Sequence, residues 1–424
     1  MRMKFNKSSQ LLLVSAASLL AAAAMTACGT LTTDFVYVTS SLAAGTNSYG
    51  EIDVFEINAV SGFMRQIPTS PFPSGGRDPV AEAVSSDNNN LYVVNQDDNT
   101  IVQFLIGSDG KLYPQNTVNT PGIYPLALAV NGANLFVVDT YEPLPKCSTA
   151  DPCPGSVGVF PLLPATTGSN PIPSGAPGTP LTNPGNGAQY WPLNLFSFSA
   201  GGNSTNCLTQ QSPDVITPTA VNVLVSGSDI FVTAYDATLT PSVGYVFGFS
   251  IGSGGALTPL NCGVPFAAGI HPTAIGSDSS STYVYVTDSV SGDVLGFTVA
   301  SGGLTPLSGS PFPAGNQPSA IAVDIKYPYA YVANALDGNV SAYSIGSGGS
   351  LTPIGYYTAG LQPMAIGIDP STNHFVFTAN FLGGNVSDFE MNITNGTLVN
   401  TQASPYRANA QPTAVAAIPH ATSK

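Results

Sequence analysis

One motif returns seven times along this chain, and a returning motif builds a scaffold before it builds a catalyst. A proline opens a short apolar run in DPVAEAV (Pro79), YPLALAV (Pro125), TPTAVNV (Pro218), HPTAIGS (Pro272), QPSAIAV (Pro318), QPMAIGI (Pro363) and QPTAVAA (Pro412). The prolines are 46, 93, 54, 46, 45 and 49 residues apart. Most are followed by a second run rich in β-formers (LYVVN, LFVVD, IFVTAYD, YVYVTD, YAYVAN, HFVFTAN) and a third (NTIVQFLI, GSVGVF, VGYVFGFSI, GDVLGFTV, GNVSAYSI, GNVSDFEM). The fourth is short, as in ALTPL, GLTPL and SLTPI. One small four-stranded sheet cannot bury both faces, whereas sheets stacked around a ring can, so this period predicts an all-β propeller of antiparallel blades. Asp337-Gly338-Asn339 and Gly384-Asn385 supply tight turns between second and third strands. A proline at the start of an inner strand costs no ladder bond.

The ends set the blade count. DFVYVTS (Asp34 to Ser40) matches a second strand, GEIDVFEI a third and GFMRQIP a fourth, while QPTAVAAI (Gln411 to Ile418) is a first strand with nothing after it. The C-terminal strand therefore completes the blade begun at the N-terminus, which gives seven blades over 34–418 and removes exposed sheet edges. Residues 28–33 then form a short tether and 419–424 a tail. The long interval after Pro125 contains a Pro-, Gly- and Ser-rich stretch, 162–213, which lacks the proline opening and paired apolar runs of an eighth blade. It reads as an insertion in blade three. Trp191 and Tyr190 lie in it, as a binding surface or as pins holding the loop to the wall.

Arg2, Lys4 and Lys7 precede the apolar run LLLVSAASLLAAAAM, so residues 1–27 read as an export signal; the run is too short to span a bilayer. MTAC, Met25 to Cys28, resembles the lipobox of bacterial lipoproteins, which predicts a lipid on Cys28; an ordinary cleavage near Ala27 is the alternative. Gly29 after the cysteine points to the outer membrane, facing the periplasm or the cell surface; without the lipid the protein would be periplasmic or secreted. Export agrees with the remaining cysteines: Cys147 and Cys153 are expected to pair locally, and Cys207 with Cys262. No histidine lies near either pair and the spacing is not that of a zinc site, so neither a metal nor a cofactor is expected.

Without its first 27 residues the chain carries seven basic residues against 24 acidic ones, a balance that excludes nucleic acid as a partner and disfavours polyanionic substrates. A monomeric ring with a small-molecule or envelope-protein partner is the expectation. Inner strands line a channel, so the residue before each proline should ring one mouth: Asp78, Tyr124, Thr217, His271, Gln317, Gln362 and Gln411. The scaffold repeats but this ring does not, which makes these residues the candidate ligand contacts. His271 is a candidate general base and Arg77 a candidate oxyanion donor. Asn95, Asp139, Asp236, Asp288, Asn334 and Asn380 end the second strands, where such residues commonly cap turns. The glycine-rich IGSGGALTP and IGSGGSLTP join two strands and read as hairpins, not phosphate cradles.

The run SPFPAGNQPSAIAVD, with YAYVAN, GNVSAYSI and SLTPI behind it, resembles the seven-bladed lactonase, or 6-phosphogluconolactonase-like, propeller family, which overlaps the YVTN-repeat proteins. The resemblance implies the fold over nearly all of the chain after Cys28, and hydrolysis of a lactone as a possible activity. It carries over no catalytic residue, since the matching motifs are structural. A phosphorylated lactone would need basic residues at the mouth, where Arg77 alone is available. The leading expectation is therefore ligand or partner binding at one face. Hydrolysis of an unphosphorylated lactone comes second and a structural envelope role third.

Overall fold

The computed structural model describes residues 32–41, 49–143, 147, 153–167, 173–195, 215–300, 303–409 and 411–420. Their strands form seven antiparallel sheets, six of them running outward from an inner strand in chain order and the seventh closed by the last strand of the chain. The inner strands are Pro79–Val84, Ile123–Val130, Ile216–Val223, Pro272–Ser277, Pro318–Val323, Pro363–Ile368 and Pro412–Pro419. Each touches the inner strands of both neighbours, so the ring closes. The last one pairs with Thr32–Ser40, from Asp34 opposite Pro419 to Ser40 opposite Pro412, and so completes the N-terminal blade. The structure is thus the seven-bladed propeller expected. The first and last strands of the chain reach slightly further than the sequence indicated, to Thr32 and Pro419.

Second and third strands are buried on both faces, which is why their runs are continuously apolar. Blade-to-blade packing is also held by a repeated hydrogen bond. Tyr37, Tyr92, Tyr285 and Tyr331 each donate a phenolic hydroxyl to a glycine carbonyl of the next blade, at Gly110, Gly175, Gly349 and Gly396, over 2.6 to 3.1 Å. Gly349 has φ +78°, and a Cβ there would fall 2.5 Å from the Tyr283 ring. Glycine is required because the latch needs both that left-handed backbone and that close approach. A second set of ties runs beside the channel: Thr273, Ser319 and Thr413 donate to the carbonyls of Pro318, Pro363 and Pro79, each in the following blade.

In the long interval, the third strand Ser156–Leu163 pairs with two short segments, Ala176–Pro177 and Trp191–Pro192. Trp191 is buried and its indole N–H donates to the Leu257 carbonyl of blade four, 2.9 Å away. The ring therefore pins this segment into the seam between blades three and four and offers no binding surface. Cys147 and Cys153 form a disulfide with their Cα atoms 5.3 Å apart. Cys262 is also disulfide-bonded, while Cys207, its expected partner, lies outside the described residues, as do Cys28 and the export segment.

Candidate functional site

The geometry of the mouth follows from one irregularity repeated in every blade. The inner strand bulges just after its proline: pairing passes from Pro318 opposite Asn334 to Ala320 opposite Ala333, with the same shift at Pro79, Pro218, Pro272 and Pro363 and equivalent ones in the other two blades. A bulge leaves one residue without a cross-strand partner and bends the strand. The bulged residues include Leu126, Thr219, Thr273, Ser319 and Met364, and these five line a hollow at the channel mouth.

The same bend fixes the residue before the proline. Asp78, Tyr124, Gln317, Gln362 and Gln411 have φ between 50° and 61°, an uncommon conformation for side chains of this size. Their carbonyls are held by the chain just beyond the second strand: Gln96 N–H reaches Asp78, Ala335 reaches Gln317, Phe381 reaches Gln362 and Ser41 reaches Gln411, over 2.8 to 3.0 Å. Ser289 N–H holds His271 in the same way at 3.0 Å. Thr217 departs from the pattern, being paired within its strand opposite Tyr235.

The hollow has a volume of about 400 Å³ and is lined by Leu126, Thr219, Thr273, Ser289, Gln317, Pro318, Ser319, Ala335, Gln362 and Met364. Two of the seven ring residues, Gln317 and Gln362, therefore face it directly. His271 stands just behind the wall, its Nδ1 3.1 Å from Ser289 Oγ and its ring packed at a 37° tilt against Tyr235 of blade four, with 4.0 Å between centroids. Tyr124 is more than a third exposed, its N–H held by Asn99 at 2.7 Å. Gln411 accepts from Ser41 Oγ at 3.2 Å.

Arg77 and His271 are not brought together, because Arg77 is consumed elsewhere. Its backbone N–H and Nε donate to Asp98 at 2.8 and 2.7 Å, and its Nη2 reaches the Asp97 carbonyl at 3.2 Å. Asn316 makes the corresponding contacts to Asp337 in blade six, so this is a scaffold brace that happens to use a charged residue. Burial raises the Asp78 carboxyl, and nearby Asp97 adds to it. The acidic and amide ends of the second strands are mostly structural. Asp139 accepts from Gly122 N–H and Asn334 from Gly315 N–H. Asp288 is gripped by the N–H groups of Ile270, His271, Val290 and Ser291. Burial alone would raise the Asp288 pKa, but these donors outweigh it and hold the carboxyl below its usual range.

Two features escaped the sequence reading. Ser289 follows Asp288 at a strand end, where it looks like a turn residue. Glu82 occupies an inner-strand position that is Leu128, Val221, Ile275, Ile321, Ile366 or Val415 in the other blades. It hydrogen-bonds Thr39 of blade one, its Oε1 is buried without a hydrogen-bond partner among the described residues, and burial pushes its pKa up to about 8. A second hollow, about 350 Å³, opens between blades five and six beside Asn339 and Tyr356, but its carboxylate, Asp337, is committed to Asn316. Among the described residues no group of three or more His, Cys, Asp or Glu side chains is arranged to hold a metal.

The structure is a seven-bladed propeller with a hollow at its channel mouth that no charged residue lines. Residues 244–417 match the family model described as Lactonase, 7-bladed beta-propeller, and over that stretch the chain is similar to this family. No curated protein matches its sequence. Among solved structures it is similar to a Bacteroides fragilis protein described as a candidate 6-phosphogluconolactonase, at 18% identity and TM-score 0.67, covering 91% of this chain and 98% of that one. It is also similar to the periplasmic gluconolactonase of Pseudomonas aeruginosa, at 15% identity and TM-score 0.65, covering 91% and 99%. At such identities the likeness is one of fold.

Proposed function

We propose that the protein works at its channel mouth, binding there a small, uncharged molecule that carries hydroxyl or carbonyl oxygens. The hollow itself supports this reading: Ser289, Gln317 and Gln362 offer neutral donors and acceptors, the hydroxyl oxygens of Thr219, Thr273 and Ser319 offer acceptors, Leu126 and Met364 offer apolar surface, and no lining residue is charged. Pockets of this size commonly hold small ligands, with a few polar groups fixing orientation. A phosphorylated ligand would lose its hydration there without a cation to compensate. Calorimetric titration of the purified protein with neutral sugars and with sugar and aliphatic lactones should find a saturable binder that Gln317→Ala and Gln362→Ala weaken. A panel without a binder, or binding indifferent to both changes, would count against the mouth.

Hydrolysis of an unphosphorylated lactone is the second reading, favoured by the imidazole of His271 beside a hydroxyl on the pocket wall. The descriptions of the two solved relatives point the same way. Turnover across the lactone panel, lost in His271→Ala and kept in Arg77→Ala, is the expected result. Absence of turnover would remove this reading and leave ligand binding.

The protein is further proposed to be exported and held by a lipid on Cys28, as the basic start, apolar run and MTAC sequence support. Strand Thr32–Ser40 runs toward the mouth, ending opposite Pro412 next to Gln411. An anchor at Cys28 would therefore hang from the opposite face, with the mouth turned away from the membrane. Processing sensitive to globomycin and incorporation of labelled palmitate test this, and Cys28→Ala should abolish both; if it alters neither, the protein is soluble in the periplasm or secreted.

A further inference from the structure

Three blades carry a hydroxyl at or just beyond the end of the second strand, in contact with their own ring residue. In blade three Thr140 Oγ1 donates to the Tyr124 carbonyl at 2.6 Å, and in blade one Ser41 Oγ donates to Gln411 Oε1 at 3.2 Å. In blade five Ser289 Oγ lies 3.2 Å from the His271 carbonyl and 3.1 Å from His271 Nδ1. The scaffold explains a hydroxyl at this place, but it does not explain a base beside it. Of the three hydroxyls, Ser289 is also the one that faces the hollow. We propose that Ser289 is a nucleophile, activated by His271, that takes the acyl group of a small uncharged ester or lactone bound at the mouth. This rests on the hydrolytic reading of the same site and adds to it a covalent step.

The surroundings fit each requirement of acyl transfer. The imidazole is held from one side by the Tyr235 ring and from its own backbone by Asp288. Backbone N–H donors hold the Asp288 carboxyl below its usual range, so it remains the acceptor that fixes the His271 backbone. The carboxamides of Gln317 and Gln362 line the same hollow and make no side-chain hydrogen bond among the described residues, which leaves their N–H groups for a developing oxyanion. Leu126 and Met364 supply an apolar wall for the rest of the substrate.

With His271 in the tautomer protonated at Nε2, Ser289 Oγ attacks the carbonyl carbon and its proton passes to Nδ1. The tetrahedral intermediate collapses by breaking the ester C–O bond, and the leaving alkoxide takes that proton. For a lactone the alkoxide remains tethered to the acyl group. Water then attacks the acyl-Ser289 ester, gives a proton to Nδ1, and the Ser289 oxygen leaves with it, so one water is consumed per ester cleaved. A hydroxyl and base acting together contribute about 10² to 10⁴ in rate, which is the loss expected when either is removed.

A fluorophosphonate probe tests the nucleophile independently of any substrate. The expected result is one adduct per chain, mapped by peptide mass spectrometry to Ser289, with Ser41 and Ser319 unlabelled. Labelling should vanish in Ser289→Ala and slow at least about 100-fold in His271→Ala. Ser289→Cys, which keeps the shape of the site, should exchange fluorophosphonate reactivity for fast alkylation by iodoacetamide. No adduct on Ser289, or an adduct elsewhere, overturns the proposal. So does lactone turnover that survives Ser289→Ala while failing in His271→Ala, an outcome that would leave the hydrolytic reading intact with water as nucleophile. Conversely, a Ser289 adduct without turnover of any lactone supports the nucleophile and removes the lactone as its substrate.

Discussion

Blades two and five present opposite kinds of polarity at the same mouth. On the blade-two side Arg77, Asp78, Asp97 and Asp98 gather four charges, and on the blade-five side the half-buried groups nearest the hollow are the His271 imidazole and the Thr273 and Ser289 hydroxyls. The charged side has spent its capacity on itself: Arg77 is tied to Asp98 and the Asp97 carbonyl, and both partners remain substantially exposed. Of the two carboxylates on the blade-five side, Asp288 is engaged by backbone N–H groups and Asp293, paired opposite it, is raised by burial and by Asp288, while Gln317, Gln362 and Ser289 line the hollow. The proposed function therefore rests on uncommitted hydrogen-bonding groups in a hollow, and not on charge alone.

The largest expected difference between the two sides is catalytic. Removing the His271 imidazole should lower kcat/KM for any ester or lactone turned over by about 100-fold or more, while Arg77→Ala should change it by less than about threefold, both read from steady-state kinetics. Next in size is the scaffold shared by both sides. Gly349→Ala forces a side chain into a left-handed backbone and against Tyr283, and is expected to destabilise by about 2 to 4 kcal/mol in denaturant unfolding. Tyr285→Phe removes only the latch to the Gly349 carbonyl and should cost about 1 kcal/mol.

A third test uses pH. Burial raises Glu82 to about 8, Asp34 and Asp139 to about 7, and Asp53 and Asp293 to about 6. Each folded pKa lies above the unfolded value, so the folded state holds the proton more tightly. The resulting stability is full below about pH 4 and lost as pH rises through 6 to 8. The melting temperature should therefore fall between pH 5 and pH 8.5, and Glu82→Gln should flatten part of that slope. A melting temperature that rises over this range would refute the assignment. The smallest effect belongs to the charged side: Arg77→Asn, which copies the Asn316–Asp337 brace of blade six, should move the melting temperature by less than about 2 °C.

The ring of strands was legible because the proline and the three following runs recur with little variation, and because the terminal segments complement each other as missing parts of one blade. The mouth was legible only in outline. Reading the residue before each proline found Gln317 and Gln362, but strict alternation could not reveal the bulge that turns Thr273, Ser319 and Met364 toward the hollow. Ser289 was hidden because its neighbour His271 lies 18 positions earlier and the two meet only through the pairing of inner and second strands. The tyrosine latches join residues 64 to 83 positions apart and carry no local signature. Glu82 was visible in principle, as the one carboxylate in a column of aliphatic residues, but its partner Thr39 arrives from the other end of the chain's closure.

The most direct measurement is a crystal structure of the protein soaked with its tightest-binding neutral sugar or lactone. Ligand density among Ser289, Gln317, Gln362 and Met364 is the predicted result. Density beside Arg77 and Asp98, or in the hollow flanked by Asp337 and Tyr356 with the channel mouth empty, would contradict the assignment of the working side.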